Sequence, residues 1–179
     1  MIAFLAFATC LAGQKALTAG SEFIGYFNRA ITPTKYVVWT TRDFKSLDKR
    51  IIVRLYGLKL PEAREFRKQA SDYVKTCFLV DGNRCYDARS LQHCGSFNFH
   101  VERVEPNGTL AVTCYTSVYE HVDEGYIEED HVCGVEFLRT GLFEIEDKDR
   151  LGLPFEYLEA EANAMKDGLG MWKIARRKV

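Results

Sequence analysis

The stretch from Arg54 to Glu62, RLYGLKLPE, places an arginine, a lysine and a glutamate around a Gly57–Pro61 turn. An arginine fork can hold phosphate oxygens, and a glutamate can take a proton from an attacking water. A divalent cation in such a site needs carboxylate or other hard oxygen ligands, whereas Lys59 carries an ammonium that repels a cation. The residue types therefore suit contact with a phosphate and proton transfer, while Lys59 opposes a bound cation.

The size and composition of the chain limit the classes of protein to which it can belong. Its 179 residues are enough for one ordinary domain with an extension. Hydrophobic content of 47% and charged content of 27% are typical of a globular protein. The net charge of −1 gives no overall attraction to nucleic acid, so nucleic acid is not an expected partner.

The cysteines do not form a recognisable metal or disulfide pattern. No C-x-x-C pair occurs, and a chain of this size can build a core without disulfides. His93-Cys94 and His131-x-Cys133 offer four possible zinc ligands, but their spacing is unusual for a structural site. We therefore predict no metal and no other cofactor, and leave the redox state of the thiols open. The six are Cys10, Cys77, Cys85, Cys94, Cys114 and Cys133.

The amino end is apolar. Residues 1–13 carry no charge, the first charge is Lys15, and apolar residues continue to Phe27. Residues 1–13 alone are shorter than the roughly 20 residues that a spanning helix needs. We predict that residues 1–27 form one long apolar helix, which lies in or on a membrane or packs against partner proteins. A cleaved presequence or secretory signal is the alternative.

The remaining chain alternates strand and helix signals. β-branched and aromatic runs predict two early strands, and Asn107-Gly108 between alternating apolar residues predicts a hairpin. The predicted strands are 36–40, 50–56, 97–104, 110–118 and 142–145, and the predicted helices are 61–76, 130–140 and one from Pro154 to about Gly168. The expected buried helix faces are Phe66, Ala70, Val74 and Cys77 in the first of these helices, and Phe155, Leu158, Ala162 and Met165 in the last.

Two segments between these elements are predicted as loops. Residues 79–95 form a long connection of the kind that is often an insertion or a binding loop. The acidic segment Glu120–Asp130 lacks the spacing of a calcium loop and is predicted to be a solvated loop. Few strands closed by helices indicate an α+β fold, a small β-barrel with packed helices. The predicted organisation is an anchor over 1–35, a barrel domain over 36–172 and a basic tail over 173–179.

Three ordered motifs resemble the staphylococcal nuclease-like, or thermonuclease-like, family. Arg54–Glu62 is similar to the family's R-L-x-G-I-D-x-P-E loop, and Val135–Leu142 to its helix ending in L-x-x-G-L-A. Glu159–Lys166 followed by Gly170-Met171-Trp172 is similar to its closing A-E-x-x-A-K…G-I-W. The resemblance implies a five-stranded OB-type barrel with three packed helices. In active members it also implies calcium-assisted phosphodiester hydrolysis.

The resemblance gives Arg54 the role of the first phosphate-binding arginine and Glu62 that of the catalytic glutamate. Lys59 stands where the family has a metal-binding carboxylate, and Thr109 stands where it has its second arginine. The other metal ligand belongs to a turn between the first two strands. We place that turn at residues 41–44, with Asp43 as its candidate carboxylate. Arg54 and Glu62 are thus vestigial matches in a degraded site.

Structural roles account for the retained residues. Arg54 and Glu62 can form a salt bridge that ties the loop to the helix, and Glu62 also suits the positive end of that helix. In a sharper alternative, Lys59 pairs with Asp43 or Glu62 and holds a phosphate without metal. Base stacking would use exposed aromatic residues of the barrel, but core packing is the simpler prediction for Tyr56, Phe97, Phe99 and Tyr115.

We therefore predict a catalytically inactive nuclease-like domain that is an accessory or scaffolding subunit of a membrane-associated complex. Its partners are other protein subunits and, through residues 1–27, membrane lipid. A membrane segment before a degenerate nuclease-like domain resembles some mitochondrial membrane proteins, which favours the mitochondrial inner membrane as location, with a secretory route as alternative. The alternative functions are a calcium-dependent nuclease with an altered site and a non-catalytic module that binds nucleic acid or phosphate.

Overall fold

A computed structural model describes residues 16–41, 49–75, 97–122 and 125–175. The strands are β1 (Glu22–Thr32), β2 (Lys35–Thr41), β3 (Lys49–Leu55), β4 (Leu58–Lys59), β5 (Phe97–Val104), β6 (Leu110–Val122), β7 (Gly125–Val132) and β8 (Glu144–Ile145). The helices are α1 (Arg64–Tyr73), α2 (Cys133–Arg139), α3 (Phe155–Asp167) and the short α4 (Trp172–Ala175), with a 3₁₀ turn at Arg150–Gly152.

Five strands close into a barrel. Antiparallel neighbours run in the order β3-β2-β1-β5-β6, and a parallel pairing of β3 with β6 completes the ring. In that pairing Val53 faces Leu110 and Leu55 faces Val112, and all four side chains are buried. With three longer helices beside it, the molecule is an α+β, OB-like barrel, as the sequence predicted.

β1 occupies residues that the sequence assigned to an apolar helix. Its Tyr26 faces Trp39 of β2, and its Phe23 faces Phe99 of β5, so β1 is a central strand of the barrel. The predicted helix is thus wrong for residues 22–27, while residues 1–15 lie outside the described residues. A short apolar run fits a buried strand as well as a helix, and here the paired edges of β2 and β5 decide the outcome. Within the described ranges, no helix is long and apolar enough to cross a membrane.

Aromatic side chains fill the barrel. Phe27 meets the rings of Tyr36, Phe97 and Phe99 at centroid distances of 4.8, 4.8 and 5.3 Å, in edge-to-face geometry. Gly25 permits this packing, because a Cβ there would lie 2.6 Å from Cγ1 of Val38. The core requires β1, since Phe27 is at its centre.

The helices follow the prediction unevenly. In α1, Phe66 and Ala70 are buried, and Val74 follows them, as predicted; Cys77 lies outside the described residues. The predicted face of α3 is wrong, because Phe155, Ala162 and Met165 are exposed. The buried residues of α3 are instead Tyr157, Ala160, Glu161 and Ala164. A periodicity argument counts Glu161 as solvent-facing, yet its carboxylate accepts hydrogen bonds inside the molecule.

The acidic segment after β6 is also ordered differently from the prediction. β6 continues to Val122 and pairs with β7, from Tyr115 opposite Val132 to Val122 opposite Gly125. Residues 120–130 are therefore a strand hairpin rather than a solvated loop, apart from residues 123–124, which lie outside the described part. Antiparallel pairing to β6 stabilises this segment despite its poor β propensity.

Candidate functional site

Arg54 is the centre of an ion-pair cluster on the outside of β3. Its Nε donates to Oε1 of Glu105 at 2.8 Å, and its Nη1 donates to Oε2 of Glu146 at 2.9 Å. Its Nη2 lies 3.7 Å from Oδ2 of Asp149. All three nitrogens of the guanidinium therefore face carboxylates, and the Arg54 side chain is only 14% exposed.

The three carboxylates belong to two segments whose positions are set by backbone hydrogen bonds. Glu105 follows β5, where its N–H donates to the carbonyl of Thr109 across the hairpin turn at 2.8 Å. Glu146 follows β8, and its N–H donates to the carbonyl of Gly57 at 2.8 Å. Asp149 closes a turn onto the Glu146 carbonyl at 2.9 Å. The cluster thus joins the β5–β6 hairpin to the segment after β8 through one arginine.

Arg103 and Tyr56 extend the cluster. Arg103 Nη1 donates to Oδ1 of Asp149 at 3.0 Å, and this hydrogen bond raises the pKa of the Arg103 guanidinium. The same guanidinium lies 5.7 Å from the ring centre of Tyr56. Burial and then the Asp149 carboxylate raise the pKa of Tyr56. The buried Asp149 carboxylate is therefore shared between two arginines.

Lys59 also has carboxylate partners. Its Nζ lies 3.2 Å from Oδ2 of Asp147 and 3.4 Å from Oε2 of Glu144. Burial lowers the pKa of Lys59, but the hydrogen bonds to Asp147 and Glu144 outweigh it, so the pKa is raised. The predicted pairing with Glu62 does not form, and Asp43 lies outside the described residues. Lys59 pairs with Glu144 because the two residues are directly opposite in the ladder between β4 and β8.

Glu62 is separate from this cluster. Its side chain is exposed, and although both residues are described, no ion pair joins it to Arg54. The predicted Arg54–Glu62 salt bridge is therefore wrong. Glu62 lies just before α1, which begins at Arg64, so its favourable interaction with the helix start still applies.

The described residues do not offer the ligands of the calcium ion that the resemblance implies. The predicted ligand turn at residues 41–44 follows β2, and its residues 42–44, with the candidate carboxylate Asp43, lie outside the described residues. Lys59 occupies the other expected ligand position. Across the described ranges, no group of three or more His, Cys, Asp or Glu side chains is arranged to hold a metal ion.

The other two motifs of the resemblance, Val135–Leu142 and Glu159–Trp172, contact each other through their backbones. Gly141 ends α2 with φ 68°, and its carbonyl accepts the N–H of Met171 at 3.0 Å. A Cβ at Gly141 would clash with the Leu169 carbonyl, and one at Gly170 with the Gly141 carbonyl. Gly141 and Gly170 are thus required for the close backbone contact between the segments that follow α2 and α3.

A separate groove of about 1170 Å³ runs beside the start of β3. The ladder between β3 and β6 begins at Val53, so among the described residues the edge from Lys49 to Ile52 pairs only with β2. Ile52 and Val104 are 42% and 43% exposed at this groove. Lys49 and Arg50 line it as well, whereas Glu22 is the only acidic residue of its lining in the described chain.

The aromatic residues considered for base stacking are mostly occupied. Phe99 is buried, and Phe97 packs on Phe27 at 4.8 Å. Tyr56 lies beneath Arg103, and Tyr115 lines the groove. An open row of stacking rings is therefore not formed by these four residues.

No known family model matches the chain, and no curated protein shows significant similarity to it. The site is therefore interpreted from its own geometry. Local spacing in the sequence does not identify four members of the cluster, which are Arg103, Glu105, Glu146 and Asp149. The one signal available was the charged run Glu146–Arg150 directly after a predicted strand.

Proposed function

We propose that the chain is a non-catalytic, nuclease-like barrel that serves as an accessory or scaffolding subunit of a membrane-associated protein complex. The observation that carries the proposal is the enclosure of Arg54 by Glu105, Glu146 and Asp149. For Arg54 to take part in phosphodiester hydrolysis, its N–H groups would have to be free to meet the charge that develops on the phosphate. In this chain Nε and Nη1 donate to Glu105 and Glu146, and Nη2 is buried 3.7 Å from the Asp149 carboxylate without a hydrogen bond among the described residues.

Electrostatics also oppose phosphate at this position. Three carboxylates surround Arg54, and Lys59 is neutralised by Glu144 and Asp147. A phosphate that approached Arg54 would have to displace a carboxylate and would face the others at short range. Two like charges at about 4 Å repel by roughly 4 kcal/mol at an effective dielectric constant near 20. This supports a scaffold over a module that binds phosphate or nucleic acid.

The groove beside β3 is the surface that supports a protein partner. An unpaired strand edge can accept an extended segment as an added strand through main-chain hydrogen bonds. Ile52 and Val104 offer apolar contacts there, and the exposed Lys49 and Arg50 favour acidic side chains. We assign this edge to an extended, acidic segment of another subunit.

The first experiment is extraction of the full chain from its native membranes with mild detergent, followed by separation by size. A calcium-dependent nuclease assay is run on the same fractions. We expect the chain in a large complex and no cleavage of DNA or RNA in the fractions that contain it. A chain that migrates alone and cleaves nucleic acid would overturn the proposal.

Matched variants test the surface. Ile52→Glu places a charge at the groove, whereas Ile31→Glu places one at a strand position of equal exposure outside it, since Ile31 is 44% exposed. We expect Ile52→Glu to release the chain from the complex and Ile31→Glu to leave it there. Release by both variants, or by neither, would rule out the assigned edge.

A further inference from the structure

Cys114 and Cys133 are in contact inside the core. Cys114 lies on β6 and Cys133 is the first residue of α2, and both are buried free thiols. The Sγ of Cys133 donates to the Sγ of Cys114 at 3.0 Å. A disulfide bond is about 2.05 Å long, so bond formation requires the two sulfurs to approach by roughly 1 Å.

The strand register explains why they meet. Tyr115 of β6 faces Val132 of β7, so Cys114 and Cys133 are the next pair of positions at the end of the same ladder. Residues directly opposite in an antiparallel ladder have Cα atoms about 4.5–5.5 Å apart. A disulfide requires roughly 4.4–6.8 Å between its Cα atoms. Cys133 begins α2 rather than continuing β7, and its position beside the last ladder pair, with the 3.0 Å contact between the sulfurs, is compatible with this spacing.

The surroundings make this pair slow to react while the chain is folded. Burial raises the pKa of the Cys114 thiol, which disfavours the thiolate that attacks a disulfide. In the ladder between β5 and β6, Cys114 pairs with Phe99, which belongs to the aromatic core. Exchange with an outside disulfide therefore requires opening at the base of the β6–β7 hairpin, or takes place while the chain folds.

We propose that Cys114 and Cys133 are a dithiol–disulfide pair that staples strand β6 to the start of helix α2. Oxidised glutathione is the co-reactant. One cysteine thiolate attacks a glutathione sulfur, which forms a mixed disulfide and expels one glutathione thiolate. The second cysteine thiolate then attacks the protein sulfur of the mixed disulfide and expels the second. The two cysteine thiols each lose a proton and together give two electrons, and the glutathione disulfide is reduced to two thiols.

The disulfide closes residues 114–133 into a covalent loop that contains all of β7. Closing a loop of this length restricts the unfolded chain and stabilises the folded one. For a domain of this size we expect the midpoint of thermal unfolding to rise on the order of 5–10 °C upon oxidation. The proposal does not depend on the assignment of the barrel as a scaffold.

The test uses the full chain with Cys10, Cys77, Cys85 and Cys94 replaced by serine, refolded in glutathione buffers of increasing oxidised fraction. After an acid quench, free thiols are alkylated in denaturant and the mass is measured. We expect the oxidised samples to lose the mass of two hydrogen atoms, to take up no alkylating agent and to unfold at the higher temperature. Two alkylated thiols at every buffer composition would overturn the proposal.

Peptide mapping of the unmodified chain provides the second measurement if the serine variant does not fold. We expect a linked peptide pair that contains Cys114 and Cys133. Linkage of either cysteine to another partner would also overturn it. Cys114→Ser is the control, and it should abolish the linked pair and the dependence of the unfolding temperature on oxidation.

Discussion

At Arg54, one guanidinium joins carboxylates from two segments that are distant in sequence. The sequence predicted Arg54 as a key residue but assigned it the wrong partner, Glu62. Its partners Glu105 and Glu146 follow it by 51 and 92 residues, and only the closure of the barrel brings them together. A motif specifies residue types at close spacing, so it could not predict acids contributed by the hairpin and by the segment after β8.

Replacement of Arg54 tests its structural role. In Arg54→Met, Asp149 retains only Arg103, although the Asp149 side chain is 1% exposed. A buried charge that loses a partner is strongly destabilising, so we expect a loss of roughly 3 kcal/mol in the free energy of unfolding. Urea denaturation measures this loss.

Glu62→Gln is the control for that experiment. Glu62 is exposed and lies outside the cluster. The free energy of unfolding of the Glu62→Gln variant should therefore stay within about 0.5 kcal/mol of that of the original chain. If Arg54→Met were equally neutral, Arg54 would be free to act on a ligand. The assignment of Arg54 to an internal network would then be abandoned.

The strands and helices show where sequence patterns are sufficient and where they fail. Asn107-Gly108 fixed the β5–β6 hairpin, and the apolar face of α1 was evident from its period. The apolar run of β1 suits a helix and a strand equally. The acidic residues of β7 led to the prediction of a loop, whereas pairing with β6 makes this segment a strand. In α3 the inward Glu161, which accepts the N–H of Ile145 at 2.8 Å, reversed the predicted face.

Comparison of Gly57 with Gly108 measures how tightly the turn after β3 is packed, because the two glycines have nearly equal φ. Gly57 has φ 74° and Gly108 has φ 79°, so alanine at either position incurs about 1–2 kcal/mol of backbone strain. At Gly57 the new Cβ would also lie 2.5 Å from Cδ2 of Leu153, whereas at Gly108 it meets nothing within 4 Å. We expect Gly57→Ala to destabilise the fold by roughly 1–3 kcal/mol more than Gly108→Ala.

Chemical denaturation of both variants checks this expectation. Equal losses would mean that Leu153 moves aside freely. The turn after β3 would then be less tightly packed than its contacts indicate.

For the molecule as a whole, the sequence predicted an α+β barrel with helices and the structure contains one. What it could not supply was the closing order of the strands, because pairing between distant segments leaves little trace in local composition. The candidate site follows the same division. Arg54 and Lys59 were identified from the sequence, while the acids around Arg54 required the three-dimensional arrangement.

The stability of the whole molecule should depend on alkaline pH. Burial raises the pKa of Tyr36 and of Tyr157 above the ordinary value near 10. Below pH 10 both states keep these protons and stability is unaffected. Above it the unfolded chain releases protons that the folded chain retains, so the free energy of unfolding falls, by up to about 1.4 kcal/mol per pH unit for each tyrosine.

Unfolding midpoints measured from pH 8 to pH 12 test this dependence, together with the phenolate absorbance of the folded chain. Tyr157→Phe should have a shallower alkaline decline than the original chain, because phenylalanine has no proton to lose. An unchanged slope in Tyr157→Phe would show that Tyr157 ionises equally well in the folded state.

The central position of β1 has a practical consequence for work with fragments. A fragment that starts at Tyr36, the boundary suggested by the apolar pattern, would lack the strand that lies between β2 and β5. Both of those strands would then have bare edges, and the aromatic core around Phe99 would be open to water. Such edges pair readily with other chains, so the fragment should be recovered as aggregates or swapped multimers. A soluble barrel requires a start before Glu22.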